Sequence, residues 1–152
     1  MGIKTFGELI DWTRDLHQSL AHCLAQCATR HEQEQAKALL EYLATHEAEL
    51  ASIIDEFEHQ SAQNTLETRV YDYLQHNTIK THQTCDEHYV KMDFQGISRE
   101  VMAFHGQVMD LFQTMSDRAE IPEAKELFEA LLTMEKNESM RLARQVGRMD
   151  DL

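Results

Sequence analysis

Four ionisable residues, His17, Glu47, His105 and Glu135, stand at positions where a helix of a globular protein would carry apolar side chains. Glu47 follows His17 by the same interval at which Glu135 follows His105, so the four form two equivalent pairs. Burying an imidazole or a carboxylate alone costs on the order of several kcal/mol, which demands a partner, water or a metal ion. Two imidazoles with two carboxylates suit Fe, Mn or Zn by ligand type. Glu138, one helical turn beyond Glu135, is a candidate auxiliary ligand or proton acceptor. A second reading of the same residues needs no metal: two His–Glu hydrogen-bonded pairs would fix helix register. Composition and spacing leave both open.

Two further groups carry chemistry-bearing types. Cys23 and Cys27 are one turn apart, a spacing compatible with metal or redox chemistry, although buried reduced Cys also serves as a small apolar residue. His82, Cys85 and His88 step by three and, with His76 or Asp86, offer a weaker cation site or simply a solvated polar face. Three Cys cannot all pair and none form C-x-x-C, which disfavours a disulfide framework, a zinc ribbon and a rubredoxin-type iron site. All three are expected as reduced thiols.

Positioning these residues falls to amphipathic helices. Only five Gly and one Pro in 152 residues leave few strand or turn signals, which argues for an all-α class. Phe6, Ile10, Thr13, His17, Leu20, Leu24 and Cys27 recur at steps of four and three on one face of a first helix. After the polar break Thr29-Arg30-His31, a second helix carries Ala36, Leu40, Leu43, Glu47, Leu50, Ile54 and Phe57. So short a break makes the two antiparallel neighbours. A third helix carries Val101, His105, Val108, Phe112 and Met115, with Ser98 as the expected cap. The fourth starts at Pro122 and carries Ala124, Phe128, Leu131, Glu135, Glu138, Leu142 and Met149. Between Gln60 and Gly96 periodicity weakens; Leu66, Val70, Tyr73 and Leu74 suggest a partly helical crossover. Heptads fail there, which argues against a continuous coiled coil.

The two hairpins repeat. Ala36 to Glu47 reads AKALLEYLATHE and Ala124 to Glu135 reads AKELFEALLTME. The same register aligns Leu16 with Phe104, His17 with His105, Leu20 with Val108, Leu24 with Phe112 and Arg30 with Arg118. Each copy is a hairpin that cannot bury its stripe alone, so two are expected to close one core. The expected organisation is a single domain: hairpin 1 over about 4–59, crossover over about 60–97, hairpin 2 over about 98–149. At about 1.5 Å rise per residue, each His and its Glu lie within about a turn of the same level.

The segments AKALLEYLATHEAEL and AKELFEALLTMEKNE resemble the second and fourth helices of rubrerythrin-like and other ferritin-like proteins, and the resemblance spans both hairpins. It implies a ferritin-like four-helix bundle and a non-haem di-iron or di-manganese centre that reduces peroxide, oxidises iron or activates oxygen. Glu47 and Glu135 occupy the family's Glu positions, but Leu50 and Glu138 stand where its His residues belong. On the first and third helices the family supplies carboxylates, whereas the inward candidates here are His17 and His105. The ligand types have therefore exchanged between helices, or the core polar groups are structural.

A formal charge of −13 repels polyanions, so neither nucleic acid nor an anionic membrane surface is an expected partner. The start, MGIKTFGELIDW, has no apolar h-region and Phe6 where a myristoylation signal wants Ser or Thr, so a cytoplasmic location is expected. Met102 and Met109 give the third helix a second apolar flank, which suits the crossover or a homodimer. Nucleotide binding and acyl transfer have no motif here. The sequence points to a metal-binding, redox-active ferritin-like protein, with a metal-free bundle acting by association as the alternative and small-molecule binding in a polar core cavity as a third class.

Overall fold

The computed structural model describes residues 3–68 and 88–151. Five helices account for most of them: α1 (Phe6–Arg30), α2 (Glu34–Gln60), α3 (Gln63–Leu66), α4 (Phe94–Arg118) and α5 (Pro122–Asp150). The described residues are all-helical, without a β-strand.

Local chemistry sets the helix ends. Thr5 caps α1, its Oγ1 accepting the Glu8 N–H at 3.2 Å, while the Glu8 carboxylate accepts the Lys4 N–H at 2.6 Å. Between α1 and α2, His31 donates from Nε2 to the Met92 carbonyl (2.7 Å) and accepts at Nδ1 from the Gln33 N–H (3.0 Å). That pair of bonds fixes the imidazole tautomer and ties the break to the segment entering α4. Pro122 occupies the first turn of α5, where its missing N–H is harmless. The expected cap of the third long helix needs correction: Asp93, and not Ser98, caps α4, its Oδ1 accepting the Gly96 N–H at 2.7 Å. Gly96 therefore lies inside the first turn. The helix starts earlier because Phe94 and Ile97 both find places in the core.

Burial of apolar stripes drives the packing. α1 lies along α2 and α4 along α5; α2 also meets α4 and α5, and α3 lies against α1 and α5. Every stripe residue of α1 is buried. Phe57 on α2, and Glu138 and Met149 on α5, are half-buried. Each buried face is wider than its stripe, taking in Leu9 and Leu16, Leu39 and His46, Phe104 and Leu111, and Leu132 and Ser139. Phe6 packs edge-on against Phe128 with ring centroids 4.8 Å apart, which joins the start of α1 to α5. Met102 and Met109 are half-buried against the same core.

Gly7 has a specific reason to be glycine. A Cβ there would lie 3.2 Å from the Leu66 carbonyl oxygen and 3.3 Å from the Leu66 Cβ, so its absence lets α3 close on α1. The Phe6 N–H donates to the Thr68 carbonyl at 2.8 Å beside this contact.

Of the crossover, only α3 and the residues entering α4 are described; Val70, Tyr73, Leu74, His76, His82, Cys85 and Asp86 lie outside the described residues. Cys27 is a buried thiol, whereas Cys23 is disulfide-bonded, which corrects the expectation that all three cysteines are reduced. No helix among the described residues is long and apolar enough to cross a membrane.

Candidate metal centre

Four long helices each bring one ionisable side chain to a common level of the core. His17 comes from α1, Glu47 from α2, His105 from α4 and Glu135 from α5, all with 0% exposure. Buried apolar residues lie on both sides of each in its stripe, Ile10 and Leu20, Leu43 and Leu50, Val101 and Val108, and Leu131 and Leu142, so helix burial carries the four inward.

Their side chains close a ring. His17 Nδ1 is 3.2 Å from Glu47 Oε1, and His105 Nδ1 is 3.2 Å from Glu135 Oε2. Each Nε2 reaches the other carboxylate, His17 to Glu135 Oε1 at 2.7 Å and His105 to Glu47 Oε2 at 3.0 Å. Every ring nitrogen and every carboxylate oxygen of the four thus has a partner. The two halves are equivalent: in each, Nδ1 serves the nearer Glu in sequence and Nε2 the farther one.

Charge makes the ring tolerable in the core. Burial opposes a charged His17, but the Glu135 and Glu47 carboxylates outweigh it and raise its pKa to about 10. His105 is raised to about 9, again against burial, by Glu47 and Glu135. Burial likewise opposes ionised Glu135, and His17 with His105 overcomes it, lowering the pKa to about 2. Glu47 is held far below the usual carboxylate range against the same penalty by His105 and His17. The shifts favour two imidazolium groups facing two carboxylates, an arrangement in which the charges balance. Phe104, edge-on to both His17 (5.3 Å) and His105 (5.7 Å), covers the ring with an apolar face.

A third imidazole lies beside the ring. His46 on α2 is 7% exposed, stacks on Tyr42 at 6.2 Å and lies 6.1 Å from the His105 ring, centroid to centroid. Its Nε2 is buried with no hydrogen-bond partner. Burial lowers its pKa, so it favours the neutral form. One ligand atom from each of His46, Glu47 and His105 lies within 4.8 Å of the others. An unpartnered imidazole nitrogen next to a carboxylate and a second imidazole is the donor set of a borderline first-row ion, and these residues fit one.

The structure assembles all four core residues expected from sequence. Glu138 stays outside the ring: 16% exposed, it pairs with Arg141 at 3.0 Å and acts on His46 electrostatically. It also lines a solvent-open groove of about 580 Å³ between α2 and α5, with Phe57, Ala130 and Met134. A second open pocket, of about 360 Å³, lies at Arg14 and Asp55 on the surface. His88 is bonded to Glu100 Oε1 at 2.5 Å, and the rest of the crossover cluster is outside the described residues. His46 is the residue that stripe reading missed. Its signal is its spacing, three after Leu43 and seven after Leu39, beside the Glu that draws attention first. No family model, curated protein or solved structure matches the chain.

Proposed function

We propose that the protein is a ferritin-like four-helix bundle of two repeated hairpins whose buried His/Glu group holds a transition-metal ion for redox chemistry towards oxygen or peroxide. One observation carries the reading: four helices deliver two imidazoles and two carboxylates to one fully buried place, next to a third imidazole with an unpartnered nitrogen. Simple register-fixing would need no third imidazole. Iron or manganese bound there supplies electron transfer and Lewis acidity, whereas zinc supplies Lewis acidity alone. The chain's own residues bind and orient: His17, Glu47, His105 and Glu135 provide and hold donors, Phe104 packs an apolar ring against both imidazoles, and Glu138 adds a carboxylate to the lining of the α2/α5 groove.

The closed ring favours a second reading. Its atoms satisfy one another, so the buried polar groups need no ion as a partner, and the protein would then act through self-association, as a homodimer, or through a protein partner.

Metal content by mass spectrometry separates the two. Untagged protein is incubated with iron, manganese or zinc and desalted beside the double variant His17→Ala, His105→Ala. Near-stoichiometric metal, lost in the variant, supports the metal reading; wild type without metal overturns it in favour of association.

A further inference from the structure

The two halves of the ring are equivalent, but their surroundings differ. In the register that aligns His17 with His105, His46 aligns with Met134, Leu50 with Glu138 and Ala51 with Ser139. Among the described residues, the edge of the ring formed by Glu47 and His105 has an extra imidazole beside it, His46. The opposite edge, between His17 and Glu135, has the Met134 thioether at the matching position, a soft donor that lacks the imidazole's match to a first-row ion held by carboxylate and imidazole.

We infer that the ion is bound at the Glu47–His105 edge of the ring, by His46, Glu47 and His105, and that His17 and Glu135 are its outer shell. The inference rests on the metal reading above and assigns its ligands. Three observations support it. Among the described residues His46 Nε2 is the buried imidazole nitrogen that lacks a partner, and ligand atoms of the three residues already lie within 4.8 Å of one another. Metal–ligand bonds of about 2.0–2.2 Å need those atoms closer still, which side-chain adjustment can supply. Next, the bonds left over have the form of a metal site's outer shell. Glu135 Oε2 accepts from His105 Nδ1 at 3.2 Å, the carboxylate–imidazole pairing that orients a ligating His, and His17 Nδ1 holds the second oxygen of Glu47 at 3.2 Å. Finally, the short His17–Glu135 contact at 2.7 Å is untouched by this assignment, so neither side chain loses its partner on that side.

The exchange balances. A divalent ion replaces the proton held between His105 Nε2 and Glu47 Oε2, 3.0 Å apart, and that proton passes to solvent. The ring gains one positive charge. Glu138, near His46 and paired with an Arg141 that is 68% exposed, provides the compensating carboxylate and also lines the α2/α5 groove.

Cobalt(II) tests the assignment, because its visible absorption reports coordination. Chelator-treated full-length protein is titrated with Co²⁺, then with competing Zn²⁺, as wild type, His46→Leu and His17→Gln, with circular dichroism melting as the control for folding. The equivalent position holds Met134, so an apolar residue of this size is compatible with the architecture; His46→Met is read in the same way if His46→Leu does not fold. Wild type should bind one equivalent. His46→Leu should lose the band and weaken binding on the order of 100-fold or more, whereas His17→Gln should keep one equivalent and the band, with affinity lower by about 10–100-fold. An unchanged His46→Leu spectrum with loss of binding in His17→Gln would place the ion among the four ring residues, overturning this assignment and leaving the metal reading intact. Wild type that binds neither ion overturns both.

Discussion

His17 Nε2 lies 2.7 Å from Glu135 Oε1 although 118 residues separate them, and this contact is shorter than the 3.2 Å from His17 Nδ1 to Glu47 on the adjacent helix. The shortest contact of the ring therefore joins the two helix pairs to each other. Long-range contacts of this kind give the core its register as well as its charge balance.

Removing one member of the ring should be costly. His17→Leu leaves Glu47 and Glu135 each short of a partner in a site without solvent. The expected loss is about 3–5 kcal/mol, or roughly 6–20 °C in Tm for a chain of this size. Replacing all four ring residues by apolar ones should recover most of that loss while abolishing metal binding. Thermal melts of the two variants beside wild type check both statements.

Acidity should act on the metal-free protein from two sides. The ordinary pKa of His is 6.5, and His17 and His105 are raised to about 10 and about 9, so their stabilisation is complete below pH 6.5 and is lost as pH rises through those values. Glu135 is lowered from 4.5 to about 2 and Glu47 is lowered further, so their contribution is present above pH 4.5 and fades as pH falls towards 2. Tm of chelator-treated protein should peak near pH 4.5–6.5 and decline by pH 3 and pH 9.5. The same pH series on the all-apolar ring variant should be flatter.

On the surface, Arg14 gathers Asp11 and Asp55 at 3.1 Å, Asp15 at 3.3 Å and Glu58 at 3.7 Å. Burial, with the hydrogen bond and charge of Asp11, raises Glu58 from 4.5 to about 7 despite Arg14. The fold thus favours the protonated form, and ionisation costs stability as pH rises from 4.5 through 7. Glu58→Gln should raise Tm by about 2–4 °C at pH 8, a change on the order of 1 kcal/mol, and hardly at all at pH 5. Arg14→Gln should lower Tm at pH 8 by leaving four carboxylates together.

Two glycines should respond oppositely to alanine. At Gly147, exposed near the end of α5, a Cβ meets nothing within 4 Å, so Gly147→Ala should stabilise by about 0.5–1 kcal/mol through helix propensity. At Gly7 the added carbon meets the Leu66 backbone and Cβ, so Gly7→Ala should lose stability and Gly7→Val more. Denaturant midpoints at constant m-value provide the comparison.

Much of this architecture can be read along the chain. Steps of three and four identify the faces of α1, α2, α4 and α5, and the single proline marks the first turn of α5. Four polar residues inside apolar stripes, at the same His-to-Glu interval in both halves of the chain, identify the residues of the ring, because a helix that buries its stripe must bury them too. The start of α4 was harder to read. Asp93 and Ser98 are both good caps by type, and only the burial of Phe94 and Ile97 chooses between them.

What sequence alone determined is therefore the all-helical class and the identity of the four buried ionisable groups, since both follow from periodicity within single helices. Which nitrogen meets which oxygen, the place of His46 beside Glu47 and His105, and the position of Glu138 outside the ring were decided only by tertiary packing. They depend on how each helix is rotated about its axis and on which neighbour it meets, and no spacing along one chain segment encodes the angle between two helices.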